Sequence, residues 1–252
     1  MRLDYIAPLV AGTGLIMLAS ASAANAGEIK VLSTIGVRSA LEELAPRFEQ
    51  ATKHRIVIVF EAAAALRRQI EGGEVFDVAI LTAPITYELI RTGAILSGTH
   101  AVIARAGIGL AVRTGAARPD ISSVEAFKRT LLGAKSITYP KEGASGVYFA
   151  EVLQRLGIDE AMKARSKLAG GAVAELVARG EAEFAVQLIP ELLAVRGVEL
   201  VGPFPAELQN YVVFAAGVGA NAIEPVAGWR LVKFLTAPAV KPVIRSKGME
   251  PG

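Results

Sequence analysis

From Ile29 to about Thr92 the chain alternates three short apolar runs with three helical stretches, and few architectures satisfy that order. The runs span 29–33, 55–60 and 77–81 and are rich in Ile, Val, Leu and Phe. They are too short for helices and apolar throughout, as strands covered on both faces are. After the first run, Val37, Leu41, Leu44 and Phe48 recur at helical spacing, with Glu42, Glu43, Arg47 and Glu49 mostly on the other side. Pro46 falls inside that pattern and predicts a kink or a break. Residues 62–71 are strong helix formers stopped by Gly72-Gly73, and Pro84 suits the first turn of a helix running to about Thr92. Strand-helix units in series predict a parallel, right-handed α/β sheet.

The pattern restarts after Arg113. A strand over 108–113 precedes a helix ending near Leu131, which Ser122 would cap with Glu125 completing a capping box. With Ser123 as the cap, Ala126 would hold the third position and no box would form. Further strands are expected at 136–139, 183–188, 198–201 and 211–217. Further helices are expected at 145–156, 173–179, 225–235 and 238–247. A single α/β unit is one reading of this order. The restart favours two lobes, 27–112 plus 212–252 and 113–211, with the late strand returning the chain to the first. Such a double crossover leaves a cleft and a hinge between lobes, where ligands sit.

Of 252 residues, 52% are hydrophobic and 20% charged, enough apolar material for a substantial core. Lys plus Arg number 27 against 24 Asp plus Glu, and no basic run stands out, so nucleic acid is not the expected partner. With no Cys there is no disulfide, thiol nucleophile or thiolate metal site. With only His54 and His100, a His-rich metal site is excluded and a Ser-His-Asp triad is not expected. Both histidines sit in polar connections, which predicts a solvated surface role. Residues 1–26 read as an export signal: an apolar stretch over 6–18, then Ala24-Asn25-Ala26, an A-x-A cleavage pattern. A membrane anchor is the competing reading, but Ser and Gly interrupt a run shorter than the roughly 20 apolar residues that span a bilayer. The product is expected to be periplasmic and monomeric.

Two stretches carry a family resemblance. One is Leu66-Arg67-Arg68-Gln69-Ile70-Glu71-Gly72-Gly73 with Asp77 following; the other is Gly143-Ala144-Ser145-Gly146-Val147-Tyr148. Leu176-Val177, Gly180-Glu181-Ala182 and Lys247-Gly248-Met249 add to them. The chain over 28–250 resembles the type II periplasmic solute-binding proteins, most closely the molybdate binders of ATP-driven (ABC) importers. The resemblance implies two α/β lobes joined by two crossing strands, with a small anionic ligand held at helix N-termini, an ABC importer as partner, and no cofactor or metal. The family's ligand serines fall at Gly36 and near Ala63, and its tyrosine at about Leu188. A one-residue slip in that correspondence would restore Ser33 or Thr34. Losing several hydroxyls weakens the expectation of molybdate, since a desolvated oxyanion needs a full shell of donors. Residues 108–148 also look loosely like aconitate isomerase, which points to an organic carboxylate and an isomerase as the alternative function.

The expected ligand-binding residues are Thr34 and Gly36 at the first strand-helix junction, Ala63 and Ala64 at the next helix start, and Thr82 after the third strand. Arg113 at the lobe crossover, and Ser145, Gly146 and Tyr148 in the second lobe, complete the set. For Thr82 a helix cap, and for Arg113 a solvated hinge residue, are the competing roles. Gln187 is a weaker cleft candidate. Arg67 and Arg68 are expected to be structural or to face a partner. A proton shift would need a base and cations, for which Glu61, Lys141, Glu142 and Tyr148 lie near the pocket without forming a motif; no catalytic residue is assigned. Gly107-x-Gly109 is too short for a dinucleotide fingerprint.

Overall fold

The computed structural model describes residues 27–171 and 173–252; the expected export signal lies outside them. Three β-α units open the fold: β1 (Glu28–Thr34) with α1 (Arg38–Thr52), β2 (Arg55–Glu61) with α2 (Ala63–Glu71), and β3 (Val78–Thr82) with α3 (Ala83–Arg91). The strands β2-β1-β3 pair in parallel in that order, as the alternation requires. Val31, Leu32, Val78 and Ile80 are buried within this sheet. The helix α1 runs unbroken across Pro46. Its core face, Leu41, Leu44 and Phe48, is buried while Pro46 lies on the exposed side, so tertiary packing offsets the lost amide.

The strand β4 (Ala101–Arg113) is the spine of the molecule. The chain then builds α4 (Val124–Gly133), β5 (Ile137–Pro140), α5 (Ala144–Arg155), α6 (Asp159–Lys163) and β6 (Ser166–Ala169). Next come α7 (Ala174–Ala178), β7 (Phe184–Leu188), α8 (Ile189–Leu193) and β8 (Val198–Pro203). It returns through β9 (Tyr211–Val218), α9 (Pro225–Leu235), α10 (Lys241–Ser246) and β10 (Glu250–Pro251). Residues 101–107 of β4 pair antiparallel with β9, which also pairs with β3. Residues 108–113 pair instead with β7 and β8, and β7-β5-β6 continue the second sheet in parallel. The fold is thus α/β with two lobes, each a sheet flanked by helices. The strand partner changes at Gly107/Ile108, within a β4 that begins at Ala101 rather than at Ile108. The return crossing closes on the same point. The Gln209 side chain accepts from Ile108 N at 2.9 Å and donates to Ile108 O at 3.0 Å.

Three local expectations change. Ser123, not Ser122, caps α4: its hydroxyl accepts from Ala126 N at 3.1 Å, while Ser122 bonds Asp120 at 2.7 Å. No capping box forms. The short elements α6, β6 and α8 carry too few residues to show a period. His54 is buried, not solvated, and its Nδ1 accepts from Gly27 N at 3.1 Å. Asp77 is also structural: it accepts from Lys30 N and Glu224 N at 2.8 and 2.7 Å, tying β3 to β1 and to the start of α9. No helix among the described residues is long and apolar enough to cross a membrane.

Candidate functional site

Parallel strands deliver their carboxyl ends, and the helices that follow, to one edge of each sheet, and the two edges face each other across a cavity of about 850 Å³. The first lobe contributes Thr34 and Gly36 after β1, Glu61 and Ala62–Ala65 around the start of α2, Arg68, and Thr82 after β3. The second contributes the 140–145 segment at the start of α5, Tyr148, Gln187 and Glu191. Asn210, Val212 and Phe214 form part of the wall near the return crossing.

Two helix tips supply free donors. Neither Ala62 nor Gly143, the residues before α2 and α5, caps its helix with a side chain. The first backbone bonds at these ends come from Ala65 N and Gly146 N. The amides of Ala63, Ala64, Ala144 and Ser145 therefore have no acceptor among the described residues. A helix start with bare amides favours an anion. The hydroxyls of Thr34, Thr82 and Ser145 border the same space and make no hydrogen bond within the described residues, although Ser145 is only 2% exposed. One cation stands on each side: Arg68 from α2 and Lys141 after β5, both exposed and neither in an ion pair among the described residues. Arg67 differs, since it bridges Glu71 and Glu88 at 2.8 Å each.

Of the residues expected at the ligand, Thr34, Gly36, Ala63, Ala64, Thr82, Ser145 and Tyr148 border this cavity. Arg113 and Gly146 do not. Arg113 closes β4 opposite Val198 and is exposed, because the strand continues past the crossover and carries its end away from the cleft. Gly146 lies beneath the site. A Cβ there would sit 1.7 Å from the Pro140 carbonyl oxygen, so glycine is what lets α5 start against β5. The ring of Tyr148 reaches the cavity, but its hydroxyl donates to Leu208 O at 3.0 Å and accepts from Arg155 at 3.2 Å. Gln187 is buried at 2% and spans Ala174 N and Gly171 O at 3.3 Å each, which fixes its amide at the cavity wall.

Gly36 explains one departure from the molybdate-binding pattern. A Cβ at Gly36 would lie 2.7 Å from Phe214 Cζ and 3.0 Å from Leu188 Cδ1. The aromatic ring and the leucine fill the space a serine would need. The slip does not restore Ser33, which is fully buried and bonds Thr34 O at 3.1 Å.

Glu61, Glu142 and Glu151 stand around the opening as exposed carboxylates. Glu191 is different. Its surroundings strip it of water, and burial pushes its carboxyl up to about 7, opposed only by a hydrogen bond from Leu188 N at 3.3 Å. Sequence reasoning missed this residue. Ile189-Pro190-Glu191 directly after a strand is the available signal, since Pro in the first turn and Glu at the third position mark a helix start. Neither histidine borders the cavity, and the described residues hold no group of three His, Cys, Asp or Glu able to bind a metal.

Residues 29–250 match the family model described as bacterial extracellular solute-binding protein. An aconitate isomerase of Pseudomonas sp is 29% identical over 248 residues, covering 94% of each chain. The molybdate-binding protein ModA of Azotobacter vinelandii is 27% identical over 247 residues, also covering 94% of each. Among solved structures, the periplasmic molybdate-binding protein of Azotobacter vinelandii superposes with a TM-score of 0.75 at 19% identity, over 88% of this chain and 98% of that one. The sulfate-binding protein SubI of Mycobacterium tuberculosis gives 0.72 at 16% identity, over 89% and 87%. With the two-lobed fold, the facing helix tips and a family match across nearly all described residues, the chain belongs to the bacterial extracellular solute-binding proteins.

Proposed function

We propose that the cleft captures a small organic polycarboxylate, and that the protein works in the periplasm as a monomeric receptor presenting this anion to an ABC importer. The lobes divide at Gly107/Ile108 and within 204–210, and closure about these crossings grips the ligand. The observation that carries the reading is the distribution of donors: bare amides at the starts of α2 and α5, free hydroxyls at Thr34, Thr82 and Ser145, and a cation from each lobe, spread around about 850 Å³. Separate anchor points suit separate carboxylates. A compact tetrahedral oxyanion is better served by one close shell, and Phe214 with Leu188 blocks a hydroxyl at position 36. Calorimetric titration with cis-aconitate, trans-aconitate, citrate, sulfate and molybdate tests this. Carboxylates should bind and stabilise the fold by about 2.7 kcal/mol at a hundredfold excess over Kd. Tighter binding of molybdate than of any carboxylate refutes it.

A second reading has its own support. An aconitate-isomerase-like reaction needs a base tuned near neutrality inside the site, and Glu191 borders the cavity with a carboxyl at about 7. The Pseudomonas relative, 29% identical, bears that activity in its name. Incubation with cis-aconitate decides: trans-aconitate formed at an enzyme-like rate supports turnover, and binding without conversion supports pure capture.

A further inference from the structure

Glu191 is an unusual residue to find on this wall. It sits in the first turn of α8, at the edge of the cavity beside Gln187 and Leu188. One oxygen, Oε2, accepts from Leu188 N at 3.3 Å. The other makes no hydrogen bond among the described residues, and no ion pair there includes Glu191. Glu61, Arg68, Lys141, Glu142 and Glu151 share the cavity, and neither Arg68 nor Lys141 forms an ion pair with it among the described residues. The turn 35–37 and β7, packed against α8, carry no titratable residue. The neighbouring strands carry Arg105, Arg113 and Glu199, and Arg105 is engaged with Glu250. The same stretch of cavity wall is largely apolar: Leu188 reaches the Gly36 site together with Phe214, and Ile35 and Val212 line the same cavity. As a helix cap, Glu191 needs only an acceptor, and Gln serves equally in a capping box without the cost of burying a charge. An acid here is therefore more than the cap requires.

We propose that Glu191 is the catalytic residue that carries the proton in an allylic shift on a bound propene tricarboxylate, an inference that rests on the isomerase reading above. In its ionised form Glu191 takes a proton from the methylene carbon, and the C–H electron pair spreads over the adjacent double bond. The resulting three-carbon anion is held by the ligand's carboxylates and by the donors at the two helix tips. The protonated Glu191 exchanges its proton with solvent and then delivers one to the opposite terminal carbon. One C–H bond breaks, one forms, the double bond moves by one position, and nothing is oxidised or reduced. A base with a carboxyl near neutrality suits both halves of that exchange, since it must gain and lose the proton in each cycle.

The experiment follows cis-aconitate by proton NMR in D2O with the full-length mature protein and with Glu191→Gln and Glu191→Asp. The wild type should form trans-aconitate with deuterium at the allylic carbon, along a pH profile that rises as one group deprotonates. Glu191→Gln should bind cis-aconitate within about threefold of wild type by calorimetry yet lose conversion by about a hundredfold or more. Glu191→Asp should keep part of the rate and shift the inflection of the profile. Conversion by Glu191→Gln within tenfold of wild type overturns the role of Glu191 while leaving the isomerase reading intact. If Glu191→Gln does not fold, an unmoved inflection in Glu191→Asp overturns it equally. Wild-type protein that binds aconitate but neither converts it nor exchanges its protons overturns the isomerase reading itself.

Discussion

Replacing Glu191 by Gln also makes a stability measurement of the desolvated carboxyl. In the folded chain burial raises this group from an ordinary 4.5 to about 7. Between those values the native state holds a proton that the unfolded chain has released, so stability falls as pH rises. The contribution is fully present below about pH 4.5 and lost as pH passes through about 7. At about 1.36 kcal/mol per unit, the displacement corresponds to about 3 kcal/mol. Gln at this position still accepts from Leu188 N and never ionises. Wild type and Glu191→Gln should therefore have similar stability near about pH 5, and the variant should lead by up to about 3 kcal/mol near about pH 8.5. For a chain of this length that is about 6–12 °C in Tm. Urea unfolding followed by circular dichroism across this range reads the difference directly. Parallel pH profiles for the two proteins would refute the claim that the half-buried Glu191 carboxyl is desolvated without a charge partner.

Other substitutions separate the cleft from its supports. Gly146→Ala drives a methyl into the Pro140 carbonyl and should cost more than about 4 kcal/mol, read as a collapse in Tm; a melting point unchanged within error contradicts the close approach. Gly36→Ser must displace Phe214 and should cost about 1–3 kcal/mol without conferring molybdate binding, measured by unfolding and by titration. Ser145→Ala should leave folding intact and weaken carboxylate affinity about tenfold, the scale of one hydrogen bond to a charged acceptor. Arg68→Ala should weaken binding similarly with little change in Tm. Arg67→Ala should leave affinity alone and cost less than about 1 kcal/mol through its exposed bridges to Glu71 and Glu88.

The open helix tips and the apolar strands were legible because they follow from local rules. Alternation of short apolar runs with 3.6-residue patterns allows little but a layered α/β sheet, and that sheet sends its loops to one edge. Thr34, Ala63, Thr82 and Ser145 could be named because each stands where a strand meets a helix start. Positions that depend on distant partners could not be read. Arg113 looked like a crossover residue until the length of β4 carried it past the cleft. His54 looked solvated, yet it is enclosed. Arg68 was indistinguishable from Arg67 until the helix was seated, when one turned to the cavity and the other to Glu71 and Glu88.

Sequence alone thus determined the layers, the two-lobed order and the edge to which the strand-helix junctions point, because periodicity and chain connectivity are properties of neighbours along the chain. Tertiary structure decided which side chains share that space and how dry each one is. Glu191 is the sharpest case: an ordinary glutamate in the sequence acquires a carboxyl near 7 only because the folded chain strips it of water at the cavity wall. Desolvation depends on everything within a few ångströms in space, and most of those atoms lie far away in sequence.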